Sequence, residues 1–183
     1  MARTGKLDRE LEHELICGTR EFLEERDKSL IEELSQSDKE LFEKSRVCLN
    51  DKKYQACLDW LLKVKNRETV CFDLGFIYVN LKEYEEAEKY YLMAAEKDSV
   101  AAMNNLGVLY EENFKDNAKA EEYYLMATEK GHVVAMNNLG LLYKDKLKDD
   151  TKAEKYYLMA AEKGYAGAIY NLGQLYRIKF KRL

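Results

Sequence analysis

"AEKYYLMAAEKG" at residues 153–164 has two close copies, "AEEYYLMATEKG" at 120–131 and "AEKYYLMAAEKD" at 87–98. A tyrosine pair, spaced alanines and a terminal glycine, written out repeatedly, specify an architecture before they specify any chemistry. In the middle copy Ala120, Tyr124 and Ala127 fall at i, i+4 and i+7, with Tyr123 beside them and Leu125 and Met126 widening the apolar face. That spacing predicts a helix whose face seats against another helix. The alanines set the distance of approach, and the tyrosines fill the space between layers while keeping a hydroxyl for a partner. The closing "EKG" puts a lysine where the helix dipole favours cations and leaves Gly131 and Gly164 as C-caps.

A second motif alternates with the first. "CFDLGFIY" (71–78), "MNNLGVLY" (103–110), "MNNLGLLY" (136–143) and "IYNLGQLY" (169–176) align on Gly75, Gly107, Gly140 and Gly173, which are 32, 33 and 33 residues apart. Met103, Leu106, Gly107 and Tyr110 share one helical face, so the glycine lies where a neighbouring helix must come close. Glycine inside a helix costs about 1 kcal/mol relative to alanine, which packing has to offset. Two helices per unit and a fixed period near 33 predict a stacked array of helix pairs. The chain has no proline, which permits helix nearly everywhere.

These residues resemble the tetratricopeptide repeat family, and within it the Sel-one-like subclass, whose units read A-x-x-N-L-G-x-L-Y followed by A-x-x-Y-Y-x-x-A-A-E-x-G. The resemblance covers residues 69–183. It implies an all-α fold, a right-handed α-solenoid of antiparallel helix pairs, and a role in protein binding. The short charged connections, such as "EENFKDNAK", depart from the longer glycine-rich loops of the subclass, and the usual proline after the second helix is missing.

Upstream, "KKYQACLDWLLKVK" (52–65) resembles a worn second helix, and "SDKELFEKSRVCLN" (37–50) its first, with Ser37 as N-cap and Glu40 completing a capping box. The expected organisation is an N-terminal amphipathic segment at 1–35, a degenerate unit at 36–68, and three helix pairs with a capping helix at 69–183, the last two forming one solenoid. In the N-terminal segment Leu7, Leu11 and Leu15, then Phe22, Leu23, Leu30, Ile31 and Leu34, mark one or two amphipathic helices with an acidic outer face. Docking on the array, self-association and disorder without a partner are all open to it.

Charge and composition narrow the function. The net charge is -4, and residues 1–35 hold ten Asp/Glu against six Lys/Arg, so the repeated part is neutral. A phosphate-tracking surface needs clustered positive charge, so nucleic acid is not the expected partner and an RNA-binding helical repeat is the weaker alternative. No stretch approaches the ~20 apolar residues of a membrane span, and no signal-peptide core opens the chain, which points to an intracellular, cytoplasmic protein. The basic end "RIKFKRL" (177–183) reads as the solvated end of the last helix or a short anchor for anionic surfaces. Cys17, Cys48, Cys57 and Cys71 form no Cys-x-x-Cys pair and read as buried small hydrophobes. His13 and Cys17, at i and i+4, match no familiar zinc spacing. No nucleophile-and-base constellation or phosphate loop emerges, so no enzyme activity, metal or cofactor is expected.

The resemblance further implies that the first helix of each unit lines a concave groove through the positions three before, one after and four after the motif glycine. Those are Phe72, Phe76 and Val79, then Asn104, Val108 and Glu111, then Asn137, Leu141 and Lys144, then Tyr170, Gln174 and Arg177. The run from apolar to cationic suits a peptide with hydrophobic residues and an acidic group. Phe72 and Phe76 equally suit plain packing. Asn105, Asn138 and Asn171 are expected to bond backbone across the stack or to reach a bound peptide. The first unit offers phenylalanines where a carboxylate clamp for chaperone tails would need lysine and asparagine, which disfavours that partner. The expected function is a non-catalytic scaffold or adaptor for a protein or peptide, with self-assembly through the N-terminal helices as the alternative.

Overall fold

A computed structural model of the chain describes residues 35–50, 52–65 and 70–181. Among the described residues every regular element is helical: α1 (Gln36–Asn50), α2 (Tyr54–Leu61), α3 (Cys71–Leu81), α4 (Tyr84–Ala95), α5 (Val100–Leu109), α6 (Asn117–Glu129), α7 (Val133–Leu141), α8 (Asp150–Glu162) and α9 (Ala166–Lys181). The architecture is the all-α, helix-pair solenoid type that the repeat implies. The chain divides into two compact units, residues 1–102 and 103–183, with the division inside α5.

In the first unit α2 packs on α1 and on α3, and α3 packs on α4. The expected pair at 37–65 is present, with one correction to its start. Ser35, not Ser37, caps α1: its Oγ accepts the Asp38 N–H at 3.2 Å, and Ser37 lies inside the helix. Asp38 is nearly buried because its Oδ1 accepts the Lys65 N–H at 3.1 Å, which ties the start of α1 to the end of the pair. Between them Trp60 lies under the ammonium groups of Lys44 and Lys63, 5.0 and 4.3 Å from its ring centre.

The second unit stacks α6 on α7, α7 on α8, and α8 on α9. Met136, Ala160 and Ala168, one from each of the last three helices, form a buried cluster with Val133, Met159 and Tyr165 packed around it.

The motif glycines explain the spacing in both units. A methyl group on Gly75 would stand 2.5 Å from Cδ1 of Tyr91; on Gly107, 2.4 Å from Cδ1 of Tyr124; on Gly140, 2.6 Å from Cδ1 of Tyr157. Each ring belongs to the second tyrosine of the repeated pair, and it lies flat where a side chain on the first helix would begin. The first tyrosine of each pair stacks on the tyrosine that ends the glycine motif: Tyr78 on Tyr90, Tyr110 on Tyr123 and Tyr143 on Tyr156, with centroids 5.4, 5.4 and 5.5 Å apart and planes within 12°.

Turns repeat as regularly as helices. α5 and α7 each run on into one π-helical turn, Tyr110–Phe114 and Leu142–Lys146. A left-handed lysine follows in the connections of both units, Lys82, Lys115 and Lys148, with φ of 64°, 57° and 57°. Asp116 and Asp149 then cap the second helices by accepting backbone N–H groups at Lys119 and at Thr151 and Lys152. After the second helices, Gly131 and Gly164 occupy φ 85° and 81°, the C-cap role their sequence predicts, and Asp98 takes the same conformation where the first copy lacks glycine.

His132 caps α7: its Nδ1 accepts the Ala135 N–H at 3.2 Å, so that nitrogen carries no proton. Burial lowers its pKa from the ordinary 6.5. The unfolded chain therefore takes up this proton first on acidification. The stability His132 contributes is complete above about pH 6.5 and declines as pH falls from there toward the lowered folded value. His132→Asn keeps a capping acceptor but cannot titrate, so urea denaturation at about pH 7.5 and pH 5 should show a smaller loss for the variant than for the parent.

The glycine rule gives a paired expectation. Gly107→Ala or Gly140→Ala should destabilise by about 1–3 kcal/mol through overpacking against the ring. Gly173, where an added methyl meets nothing within 4 Å, should instead gain up to about 1 kcal/mol on replacement by alanine. Denaturant midpoints of the three variants check both signs.

Candidate functional site

The face formed by the first helices begins with their mutual attachment. In the second unit the Asn138 side-chain amide donates to Asn104 Oδ1 at 3.2 Å, and Asn171 donates to Asn137 Oδ1 at 3.0 Å. Asn104 also donates to Asn105 Oδ1 at 3.2 Å. The asparagines at the paired motif positions thus form a side-chain ladder holding α5, α7 and α9 side by side. For Asn138 and Asn171 the bonds run across the stack as one reading of the sequence expected, with side chains as acceptors in place of backbone.

The ladder decides how much of the predicted groove set is free to meet a partner. Asn104 and Asn137 are buried at 1% and 2% exposure and engaged in the ladder. In the first unit Phe72 and Phe76 are buried, Phe72 with its ring 5.8 Å from that of Tyr91, and Val79 is half-buried. Val108, Glu111, Leu141, Lys144 and Gln174 are half-buried, while Tyr170 and Arg177 are exposed.

The position four after the glycine carries the electrostatic contrast of this face. Glu111 accepts the Tyr124 hydroxyl at 3.1 Å, and burial raises its pKa although that bond opposes the rise. One unit later the equivalent residue is Lys144, which pairs with Asp145 at 3.6 Å. The equivalent hydroxyl, on Tyr157, is buried and has no hydrogen-bond partner among the described residues. Its pKa is raised, chiefly by burial. A repeat position that leaves a buried hydroxyl unsatisfied costs about 1–3 kcal/mol. Sequence reading placed Lys144 on the face but missed this cost, because Tyr157 reads as core and its acceptor is visible only by comparison with the folded neighbour.

Cys57 and Cys71 are buried and Cys48 half-buried, all as free thiols. Burial, with Cys48 adjacent, pushes the Cys57 thiol up to about 11. His13 and Cys17 lie outside the described residues, as do the expected helices of residues 1–34. Among the described residues no cluster of three or more His, Cys, Asp or Glu is placed to hold a metal ion, and no helix is long and apolar enough to cross a membrane.

The tetratricopeptide repeat model matches residues 68–96, and the Sel1 repeat model matches residues 100–132 and 133–165. The chain is therefore a tetratricopeptide-like helical repeat protein that carries Sel1 repeats. Repeats of these kinds are generally protein–protein interaction modules. Among solved structures, the fold is similar to that of the MamA protein, with a TM-score of 0.65 and 19% identity over 79% of this chain and 83% of that one. It is also similar to BtubC (BKLC) from P. vanneervenii, with a TM-score of 0.54 and 19% identity over 69% of this chain and 64% of that one. At these identities the likeness shows the fold alone. No curated protein matches the sequence.

Asn138→Ala should destabilise the second unit by about 1–3 kcal/mol, because the buried Asn104 carbonyl loses its partner without gaining water. A shift of the urea midpoint at unchanged slope is the expected record.

Proposed function

We propose that the protein is a non-catalytic scaffold or adaptor that takes a peptide, or an extended segment of a partner protein, along the first-helix face of its second unit. The observation that carries this reading is Lys144. A glutamate there would repeat the Glu111–Tyr124 bond, yet the chain places a cation, and the buried Tyr157 hydroxyl has no partner among the described residues. Departures from a self-consistent repeat that cost stability are where function is expected.

The chemistry of the face follows from its neighbours. Val108 and Leu141, one after each glycine, offer half-buried apolar surface, and Lys144 and Arg177, four after, offer positive charge. A ligand with apolar side chains and a carboxylate meets both. Gln174 adds a donor and an acceptor for a peptide backbone. A groove of this kind gains affinity from apolar anchors and specificity from the charge.

Lys144→Glu separates binding from folding. It should raise the denaturation midpoint by restoring an acceptor to Tyr157, and it should weaken partner capture about tenfold or more. Leu141→Asp should also abolish capture, whereas Glu122→Lys, on the exposed side of α6, should not. Unchanged capture by both face variants, with helical circular dichroism intact, would refute the proposal.

A further inference from the structure

α1 and α2 pack on each other, and the chain reverses between them within a few residues. Lys52 takes the left-handed conformation there, with φ 57°. Backbone hydrogen bonds through Lys53 then lead from one cysteine to another: the Lys53 N–H donates to the Cys48 carbonyl at 2.9 Å, and the Lys53 carbonyl accepts the Cys57 N–H at 3.1 Å. Cys48, in the last turn of α1, and Cys57, in the first turn of α2, are thereby drawn to one corner of the helix pair, where their side chains share a hydrogen bond. Both are free thiols, but their burial differs. Cys57 is 0% exposed and Cys48 is half-buried, so of the two residues only Cys48 meets solvent.

We infer that Cys48 and Cys57 form a redox-sensitive dithiol that a peroxide closes to a disulfide, with Cys48 as the attacked thiol and Cys57 as the resolving one. The Cys48 thiolate attacks one peroxide oxygen and the O–O bond breaks; that oxygen becomes the sulfenic hydroxyl, and the other leaves as hydroxide, which takes the proton Cys48 gave up. The Cys57 sulfur then displaces the hydroxyl: the S–S bond forms, the S–O bond breaks, and the Cys57 proton leaves with the hydroxyl as a second water. Two thiols lose two electrons, and the peroxide accepts both. Burial assigns the roles, since an oxidant reaches Cys48 first. Burial, and after it the charge of Cys48, hold the Cys57 pKa up at about 11, so Cys57 stays protonated and does not compete for the peroxide. The bonds through Lys53 keep the two helix ends in place while the sulfurs close from hydrogen-bond contact to the ~2.0 Å of the covalent bond.

Treating the folded full chain with hydrogen peroxide, quenching with catalase, alkylating in urea and mapping tryptic peptides by mass tests the inference. Peptides 47–52 and 54–63 should appear joined, lighter than their sum by two hydrogen atoms, in protein that runs as a single chain without reductant, and dithiothreitol should separate them. Alkylation of Cys48 and Cys57 should fall about tenfold or more, while Cys71, buried on α3, keeps its label. Cys48→Ser should leave Cys57 a thiol at the same peroxide dose, and Cys57→Ala should leave Cys48 as a sulfenic acid that dimedone labels. The oxidised parent should unfold at a higher urea midpoint than the reduced one, a shift absent from both variants. Undiminished alkylation of the pair, a disulfide from either to another cysteine, a cross-link between chains, or oxidation of Cys57 in Cys48→Ser would each overturn it. The parent and Cys48→Ser decide the matter even where Cys57→Ala does not fold. Lys144→Glu should oxidise as the parent does, so this inference and the peptide-binding reading fail independently.

Discussion

The flat contact between a tyrosine ring and the bare Cα of a glycine is the constraint on which the rest of the structure depends. A methyl group at Gly75, Gly107 or Gly140 would lie 2.4–2.6 Å from ring carbon, closer than side chains tolerate. The helix pair therefore closes only with glycine on one side and a planar ring on the other. The fully buried alanines Ala87, Ala120 and Ala153 hold the same separation one turn earlier. Once that distance is set, the second ring of each pair has one place to go, stacked on the tyrosine at the end of the glycine motif. The helix cost of glycine is offset because it lets apolar surface on two helices leave water together.

Connections follow from the same economy of space. The π turns after α5 and α7 end the first helix with a wide loop of backbone, and a left-handed lysine then reverses the chain. A non-glycine residue rarely adopts that conformation, yet lysine holds it in both units. An aspartate accepting the first free N–H groups of the next helix follows directly at Asp116 and Asp149. Where the subclass carries glycine-rich loops, this chain reaches a reversal with charged residues.

The seam consumes only part of the first helices' face. The asparagine ladder uses Asn104 and Asn137, and the core of the first unit uses Phe72 and Phe76, so half-buried positions beside them carry the remaining chemistry. Lys144 and Glu111 occupy one repeat position with opposite charge, and only one satisfies the tyrosine beneath it. In α9 no atom of the described residues stands within 4 Å of where a side chain on Gly173 would begin, and Tyr176 is exposed.

The sequence by itself determined the helix pairs, their period, the glycine seam and the C-caps at Gly131 and Gly164, because each rests on spacing within a helix or on backbone preference at one residue. The first helices' face could be numbered from the motif but not sorted into consumed and available residues. That sorting belonged to tertiary structure, since whether Asn137 meets a partner helix or a ligand depends on how near Asn171 is brought. The cap at Ser35 in place of Ser37 is a local bond to Asp38, and the same Asp38 is held from far along the chain by the Lys65 N–H, a contact that spacing within one helix does not reveal.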